Sequence, residues 1–337
     1  MSTPTALTKK DLVSSQEVRW CPGCGDYAIL SAAQQTFAEL GVPKEKFVIV
    51  SGIGCSSRFP YYMNTFGFHT IHGRAPAVAT GIKVANPDLS VWIVTGDGDA
   101  LSIGGNHVIH LIRRNVDVKV LLFDNRIYGL TKGQYSPTSE IGKRTKSTPF
   151  GSIDRPLNPV ALALGAGATF VARSIDVYTT HLRETLRDAH GHRGTAFVHI
   201  FQNCNIYNDG AFENIREKGQ REDNLLHLKH GEPLVFGKNQ DRGIRLSGAF
   251  ATEVVSLGNG LTEKDLLVHD ETAPMSYAAM LAELQPPHGP MPIGVIRRVE
   301  VPAFDAEMRD RIAEFTAARG PGDIARAIRS GNTWEVT

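Results

Sequence analysis

The feature that most constrains the fold of this chain is an alternation of two periods. Short runs that are apolar almost throughout, at 47–50, 91–95, 119–124, 169–172 and 196–202, recur over the first two thirds and are separated by segments of helical length. Segment 106–115 places Val108, Leu111, Ile112 and Asn115 on one helical stripe, and 177–189 reads as a further helix. A strand with one wet face alternates apolar and polar residues, whereas one that is apolar at nearly every position is covered on both sides. Such strands, alternating with helices, specify a doubly wound α/β fold with a parallel sheet.

Composition narrows the function. Thirty-six Lys and Arg against 35 Asp and Glu give a net charge of +1, and 42% of the 337 residues are hydrophobic. This is ordinary globular composition without the basic excess of a nucleic-acid binder. The longest apolar runs fall far short of the roughly 20 residues that span a bilayer. No apolar segment follows Lys9 and Lys10, so the N-terminus does not read as a secretory signal. A cytoplasmic protein without a membrane partner is expected. Segment 130–159, rich in proline and glycine and without a sustained period, reads as a long functional loop. Segment 232–303 gives only scattered short apolar runs, and 305–319 reads as an amphipathic helix with Met308, Ile312 and Phe315 on one side. The expected organisation is an N-terminal arm over 1–16, an α/β domain over 17–230 and a C-terminal extension over 231–337, for packing and subunit contact.

Every strand of a parallel sheet ends at one edge, where ligands bind, so the turns after the strands carry the chemistry. Gly52-Ile53-Gly54-Cys55-Ser56 follows the first run, Gly96-Asp97-Gly98-Asp99 the second, Asn125-Arg126-Ile127-Tyr128-Gly129 the third and Asn203-Cys204 the last. Asp97 and Asn125 are 28 positions apart, the length of one strand-helix-strand unit, so a carboxylate and an amide face each other across two strand ends. With a backbone carbonyl they are hard oxygen ligands suited to Mg²⁺, and the glycines let backbone N–H groups approach a diphosphate. Gly-Asp-Gly alone marks an ordinary strand-to-helix turn. Followed at this distance by Asn after an apolar strand, it resembles the thiamine diphosphate signature.

Cys21 and Cys24 form a Cys-x-x-Cys knuckle, and Cys55 and Cys204 each lie just past a strand. A dithiol redox motif of the thioredoxin kind should follow a strand, and 8–19 does not read as one. If the knuckle folds over the sheet edge, all four thiols converge. Four thiolates bind Zn²⁺ or a 4Fe-4S cluster, and spacing does not decide between them. Arg58, three residues past Cys55, is placed to pair with a substrate carboxylate, with a surface arginine as the plain alternative. His72 lies where the chain enters a small-residue helix, and Lys132 lies in the long loop. These three are the catalytic candidates, while His107 and His110 read as structural.

The pattern as a whole resembles the β subunit of a 2-oxoacid:ferredoxin oxidoreductase. The resemblance rests on Cys-Pro-Gly-Cys-Gly, Gly-Ile-Gly-Cys-Ser-Ser, His-Gly-Arg-Ala, Gly-Asp-Gly-Asp, the segment from Asp124 to Thr138, Thr-Lys-Ser-Thr-Pro and Cys204, and spans roughly 17–235. It implies a thiamine diphosphate-binding fold in which Cys21, Cys24, Cys55 and Cys204 ligate one 4Fe-4S cluster. Asp97, Asn125 and the Ile127 carbonyl hold Mg²⁺. Ile53, Gly54, Cys55, Ser56, His72, Gly96, Gly98, Asp99, Gly129, Leu130 and Thr131 line the thiamine diphosphate site. The reaction implied is CoA-dependent oxidative decarboxylation of a 2-oxoacid, reversible in principle, with electrons leaving singly through the cluster to ferredoxin. Only one α/β core is present, so a separate α subunit is expected to complete the cofactor site in an αβ or α2β2 assembly. Arg58 and Lys132 point to 2-oxoglutarate, converted to succinyl-CoA, ahead of pyruvate. A zinc-stabilised, non-catalytic protein is the rival from another class.

Overall fold

The computed structural model describes residues 7–248 and 251–336. The first six residues of the expected N-terminal arm, and Ala249, Phe250 and Thr337 of the expected C-terminal extension, lie outside them. Among the described residues, thirteen strands form three sheets. They are β1 (Phe47–Ser51), β2 (Phe66–His69), β3 (Ser90–Gly96), β4 (Lys119–Asp124), β5 (Ile127–Tyr128), β6 (Gln134–Tyr135), β7 (Phe170–Ile175), β8 (Ala196–Phe201), β9 (Leu225–His227), β10 (Val235–Phe236), β11 (Arg242–Ser247), β12 (Ala251–Ser256) and β13 (Met291–Arg298). The main sheet has eight strands in the order β2-β1-β3-β4-β8-β7-β13-β9. Its neighbours run parallel except for β13 beside β7. The expected parallel, two-sided sheet is therefore its major part, with one antiparallel strand supplied by the C-terminal region.

Alternation along the strands sends side chains to two cores. Val48, Val50, Val91, Ile93, Val120 and Leu122 enter one, while Phe47, Ile49, Trp92, Val94, Leu121 and Phe123 enter the other. The principal helices of the first 200 residues are α1 (Asp26–Glu39), α2 (Phe59–Tyr62), α3 (Ala75–Ala85), α4 (Asp97–Leu101), α5 (Gly105–Arg114), α6 (Pro159–Gly165) and α7 (Thr179–Gly191). Helices α3, α5 and α6 cover the first core; α1 and α7 cover the second. The step from β7 back to β8 crosses the sheet in the direction opposite to β1, β3 and β4, so right-handed crossover puts α7 on the other face.

Residues 232–303, scattered runs in the sequence, form the small antiparallel sheet β10-β11-β12, a helix at Met275–Glu283 and β13. The extension is thus continuous with the main sheet. Its long helix, Phe304–Arg319, is held at its start, where Asp305 Oδ1 accepts from the Asp117 backbone N–H at 2.9 Å and Asn115 Nδ2 donates to the Val301 carbonyl at 3.0 Å. Beyond that turn the Ile312 and Phe315 side chains face water.

At the opposite edge of the sheet from the strand ends, Asp117 is clamped by two buried ammonium groups, Lys119 Nζ at 2.7 Å and Lys83 Nζ at 3.0 Å. Lys119 also donates to the His192 carbonyl, and Lys83 to the carbonyls of Pro87 and Leu89. Burial pushes the Asp117 carboxyl up, but Lys119 and Lys83 prevail and hold it at about 2. Its folded value is below its unfolded one, so its stabilisation is complete above the unfolded range and fades as pH falls from about 4 toward 2. Asp117→Asn should destabilise the chain by about 3 kcal/mol at pH 7, because two buried cations lose their counter-ion. Denaturant titration should find this deficit narrowing below pH 4; a deficit independent of pH would contradict the ion-pair account.

Candidate active site

The sheet delivers the turns after β1, β3, β4 and β8 to one edge. There they enclose a crevice with about 510 Å³ of unfilled space, part of it open to solvent. Its lining includes Ile53, Gly54, Cys55, Ser56, His72, Gly96, Asp97, Gly98, Asp99, Asn125, Ile127, Gly129, Leu130 and Thr131. All the residues assigned by the resemblance to thiamine diphosphate and Mg²⁺ are therefore brought to one cavity. Of the three catalytic candidates only His72 is there, with Nδ1 3.7 Å from Asp99 Oδ1. Arg58 turns away and donates from Nη1 to the Arg19 carbonyl at 2.8 Å. Lys132 is exposed, with a left-handed backbone at φ 76°, and does not line the crevice.

Asp99 is the structural tie of the crevice. Its Oδ1 accepts from the backbone N–H of Ile53 at 3.1 Å and of Gly73 at 2.8 Å, and its Oδ2 accepts from Thr95 Oγ1 at 2.8 Å. Three segments distant in sequence are thereby fixed by one carboxylate. Asp97, also buried, accepts at Oδ2 from the hydroxyls of Ser136 and Thr138, so the long loop folds back over the metal candidate. Thr138 reaches on to Asp124 Oδ1 at 2.8 Å, and Asp124 Oδ2 meets His199 Nε2 at 2.9 Å. Burial, reinforced by the Asp124 charge, pushes the Asp97 carboxyl up to about 7. Gly98 permits a close approach here: a Cβ would lie 2.1 Å from Cε1 of Tyr128, whose hydroxyl donates to the Gly98 carbonyl at 3.1 Å.

The cysteines gather beside this crevice. A Cβ on Gly129 would lie 3.5 Å from the Cys204 sulfur and 3.6 Å from that of Cys55, so a cysteine after β1 and one after β8 flank the same point. Cys21 and Cys24 form a tight turn, Cys24 N–H donating to the Cys21 carbonyl at 3.1 Å. The turn is pinned to the β8 edge by Gly25 N–H donating to the Asn203 carbonyl at 3.2 Å. The knuckle thus folds over the edge, and it follows a 3₁₀ turn at Lys9–Leu12 and irregular chain instead of a strand. Among the described residues no group of three or more His, Cys, Asp or Glu side chains is disposed to hold a metal ion.

Three polar residues in the lining escaped the sequence reading. Asp26, two positions past the knuckle, is fully buried, and neither carboxyl oxygen has a hydrogen-bond partner. Burial, with the Asp176 charge adding to it and the Cys24 thiol opposing, brings it up to about 7. The Ser56 hydroxyl, recognised by position, is likewise buried and unpartnered. Gln202 lies between Asn125 and Cys24. Tyr128 completes the wall against Gly98. The one available signal was adjacency, since Asp26 and Gln202 each lie two residues from a cysteine.

The family described as thiamine pyrophosphate enzyme, C-terminal TPP binding domain, matches residues 52–200. Over 331 residues the chain is 51% identical to the 2-oxoglutarate oxidoreductase subunit KorB of Mycobacterium tuberculosis, across 97% of this chain and 88% of that one. The chain belongs to the 2-oxoacid:ferredoxin oxidoreductase β subunits. It is also 52% identical to the β subunit of 2-oxoacid:ferredoxin oxidoreductase 1 of Aeropyrum pernix over 190 residues, 56% of this chain and 60% of that one. Its fold matches, with a TM-score of 0.77 and 34% identity over 97% of each chain, the 2-oxoglutarate:ferredoxin oxidoreductase from Magnetococcus marinus solved with 2-oxoglutarate, coenzyme A and succinyl-CoA bound. The resemblance read from the motifs and the α/β fold expected of this β subunit are both borne out.

Burial, together with the charges of Asp26 and Cys204, pushes the Cys55 thiol up to about 12, and burial also raises the Cys24 thiol. At pH 8 a thiol at about 12 is ionised in roughly one molecule in 10⁴. In the metal-free β subunit, iodoacetamide at pH 8 should alkylate the exposed Cys21 at least about tenfold faster than Cys55, read by peptide mass spectrometry. Equal rates would mean that the half-buried Cys55 thiol is no more shielded than that of Cys21.

Proposed function

We propose that this chain is the catalytic β half of a 2-oxoglutarate:ferredoxin oxidoreductase, active with an α subunit. The observation that carries the reading is the adjacency of the two sites. Gly129 lines the crevice and at the same time separates the sulfurs of Cys55 and Cys204. Asp97, Asn125 and the Ile127 carbonyl would hold Mg²⁺, and Cys21, Cys24, Cys55 and Cys204 a 4Fe-4S cluster. The residues fit these groups on their chemistry. Hard oxygen donors face the crevice, four soft thiols lie beside it, and the buried Asp26 carboxyl and Ser56 hydroxyl have polar atoms awaiting a partner among the described residues. Thiamine diphosphate would supply the carbanion equivalent that lets a 2-oxoacid lose CO₂, and the cluster would take up electrons one at a time.

The chain's own residues perform positioning and exclusion. Asp99 holds the Ile53 loop and the Gly73 turn against the crevice, which keeps Cys55 beside it. Ser136 and Thr138 fold the long loop over Asp97 and screen that carboxylate from water. The dicarboxylic substrate follows from the names of the Mycobacterium tuberculosis relative and the Magnetococcus marinus structure, the latter of which holds 2-oxoglutarate, coenzyme A and succinyl-CoA. Pyruvate stands second. The α subunit would contribute the carboxylate that activates the cofactor's aminopyrimidine ring, and ferredoxin would accept the electrons. Among the described residues no helix is long and apolar enough to cross a membrane, in keeping with a soluble electron acceptor.

The test is the composition and activity of the complex purified without oxygen. About four irons with matching sulfide, and one thiamine diphosphate, are expected per β chain. CoA-dependent release of CO₂ from 2-oxoglutarate with reduction of ferredoxin should then exceed that from pyruvate. Zinc without iron, and no thiamine, would remove the enzymatic reading.

A further inference from the structure

The Gln202 side chain is 1% exposed and touches both halves of the site. Its Oε1 lies 2.9 Å from Asn125 Nδ2, and its Nε2 lies 2.5 Å from the Asn203 carbonyl and 3.3 Å from the Cys24 sulfur. We propose that Gln202 is a positioning residue that couples the metal half of the site to the thiol half, one amide setting both the face Asn125 presents and the hydrogen bonding of Cys24. This rests on the reading that Asn125 holds Mg²⁺ and Cys24 ligates the cluster.

Hydrogen-bond logic supports the assignment. An amide oxygen and an amide nitrogen have the same shape, so orientation must come from partners. The Asn203 carbonyl can only accept, which requires the Gln202 NH₂ on that side. The Gln202 oxygen is then on the other side and can only accept, which requires the Asn125 NH₂ to face it. The Asn125 oxygen consequently points away from Gln202, where it accepts from the Ile127 N–H at 3.1 Å. An amide nitrogen has no lone pair to offer a cation, so Asn125 in the flipped orientation could not be a ligand. The Asn203 carbonyl thus orients the Gln202 amide, and Gln202 together with the Ile127 N–H orients that of Asn125.

That carbonyl is itself held firmly. The Asn203 N–H donates to Asp176 Oδ2 at 3.0 Å, and the buried Asp176 takes a two-point grip from Arg216, with Nε at 2.9 Å and Nη2 at 3.2 Å. The Gln202 backbone N–H continues the β8 ladder by donating to the Asp124 carbonyl at 2.9 Å. On the thiol side, an N–H directed at a ligating sulfur withdraws negative charge from it. Such bonds raise the reduction potential of an iron-sulfur cluster, and outer partners of metal ligands commonly govern affinity.

Two substitutions in the intact αβ complex, handled anaerobically, separate the two effects. Gln202→Glu keeps an oxygen toward Asn125 but replaces the N–H near Cys24, whereas Gln202→Met removes both bonds at similar volume. In an EPR-monitored redox titration both variants should show a cluster potential shifted negative of wild type. Thiamine diphosphate binding as a function of Mg²⁺ concentration should stay near wild type in Q202E and weaken roughly ten- to hundredfold in Q202M. Unchanged potentials in variants with full iron content, or unchanged Mg²⁺ dependence in Q202M, would overturn the proposal and leave Gln202 a merely structural buried amide. Should Q202M not assemble, the potential of Q202E decides alone. Failure of the underlying reading is distinguished at the outset, because the wild-type complex would then lack iron or thiamine diphosphate.

Discussion

The structure depends on a parallel sheet whose central strands are buried on both faces. Strands such as β1, β4, β7 and β8, with every residue buried, carry no side-chain chemistry along most of their length. Chemistry is displaced to their ends, and parallel pairing puts those ends on one line. Gly52 to Ser56, Asp97 to Asp99, Asn125 to Gly129 and Gln202 to Cys204 become neighbours because four strands point the same way. Local stickiness between these loops is not needed to bring them together.

The edge concentrates carboxylates, each with a different environment. Asp99 is saturated by three donors and serves as scaffold. Burial opposes ionisation of Asp124, yet the His199 hydrogen bond and charge prevail and hold its carboxyl below the ordinary range. Asp97 and Asp26 lie at the other extreme, each raised to about 7 by burial. Asp124, Asp97 and Asp26, of the same intrinsic acidity, are thus set apart by burial and by their partners, while Asp99 serves as scaffold. Asp97, Asp26 and Asp99 all line the crevice, and Asp124 supports it from behind.

Much of this was legible in the sequence because the informative signals were one-dimensional. Apolar runs gave the strands, the position of each cysteine relative to a strand gave its place at the edge, and the 28-residue spacing gave the Asp97 and Asn125 pair. What was not legible depends on partners distant in the chain. Gln202 and Asp26 are ordinary residue types whose importance appears only when Asn125, Cys24 and Asp176 are seen around them. Strand β13 escaped because MPIGVIRR lies in a region without regular alternation, and its antiparallel pairing with β7 across more than a hundred residues leaves no local trace. Arg58 illustrates the converse: its proximity to Cys55 in sequence suggested the crevice, but its guanidinium is drawn to the Arg19 carbonyl.

The Phe304–Arg319 helix has a further consequence. Ile312 is 55% and Phe315 59% exposed, and Ile324, Ile328 and Trp334 beyond them are more exposed still. Anchored to the sheet by its first turn alone, this arm is an adhesive flag held away from the body. Exposed apolar side chains at this density lower the solubility of the isolated chain and make its copies prone to adhere to one another. The arm thereby ties the behaviour of the chain in solution to its surface as well as to the stability of its sheet.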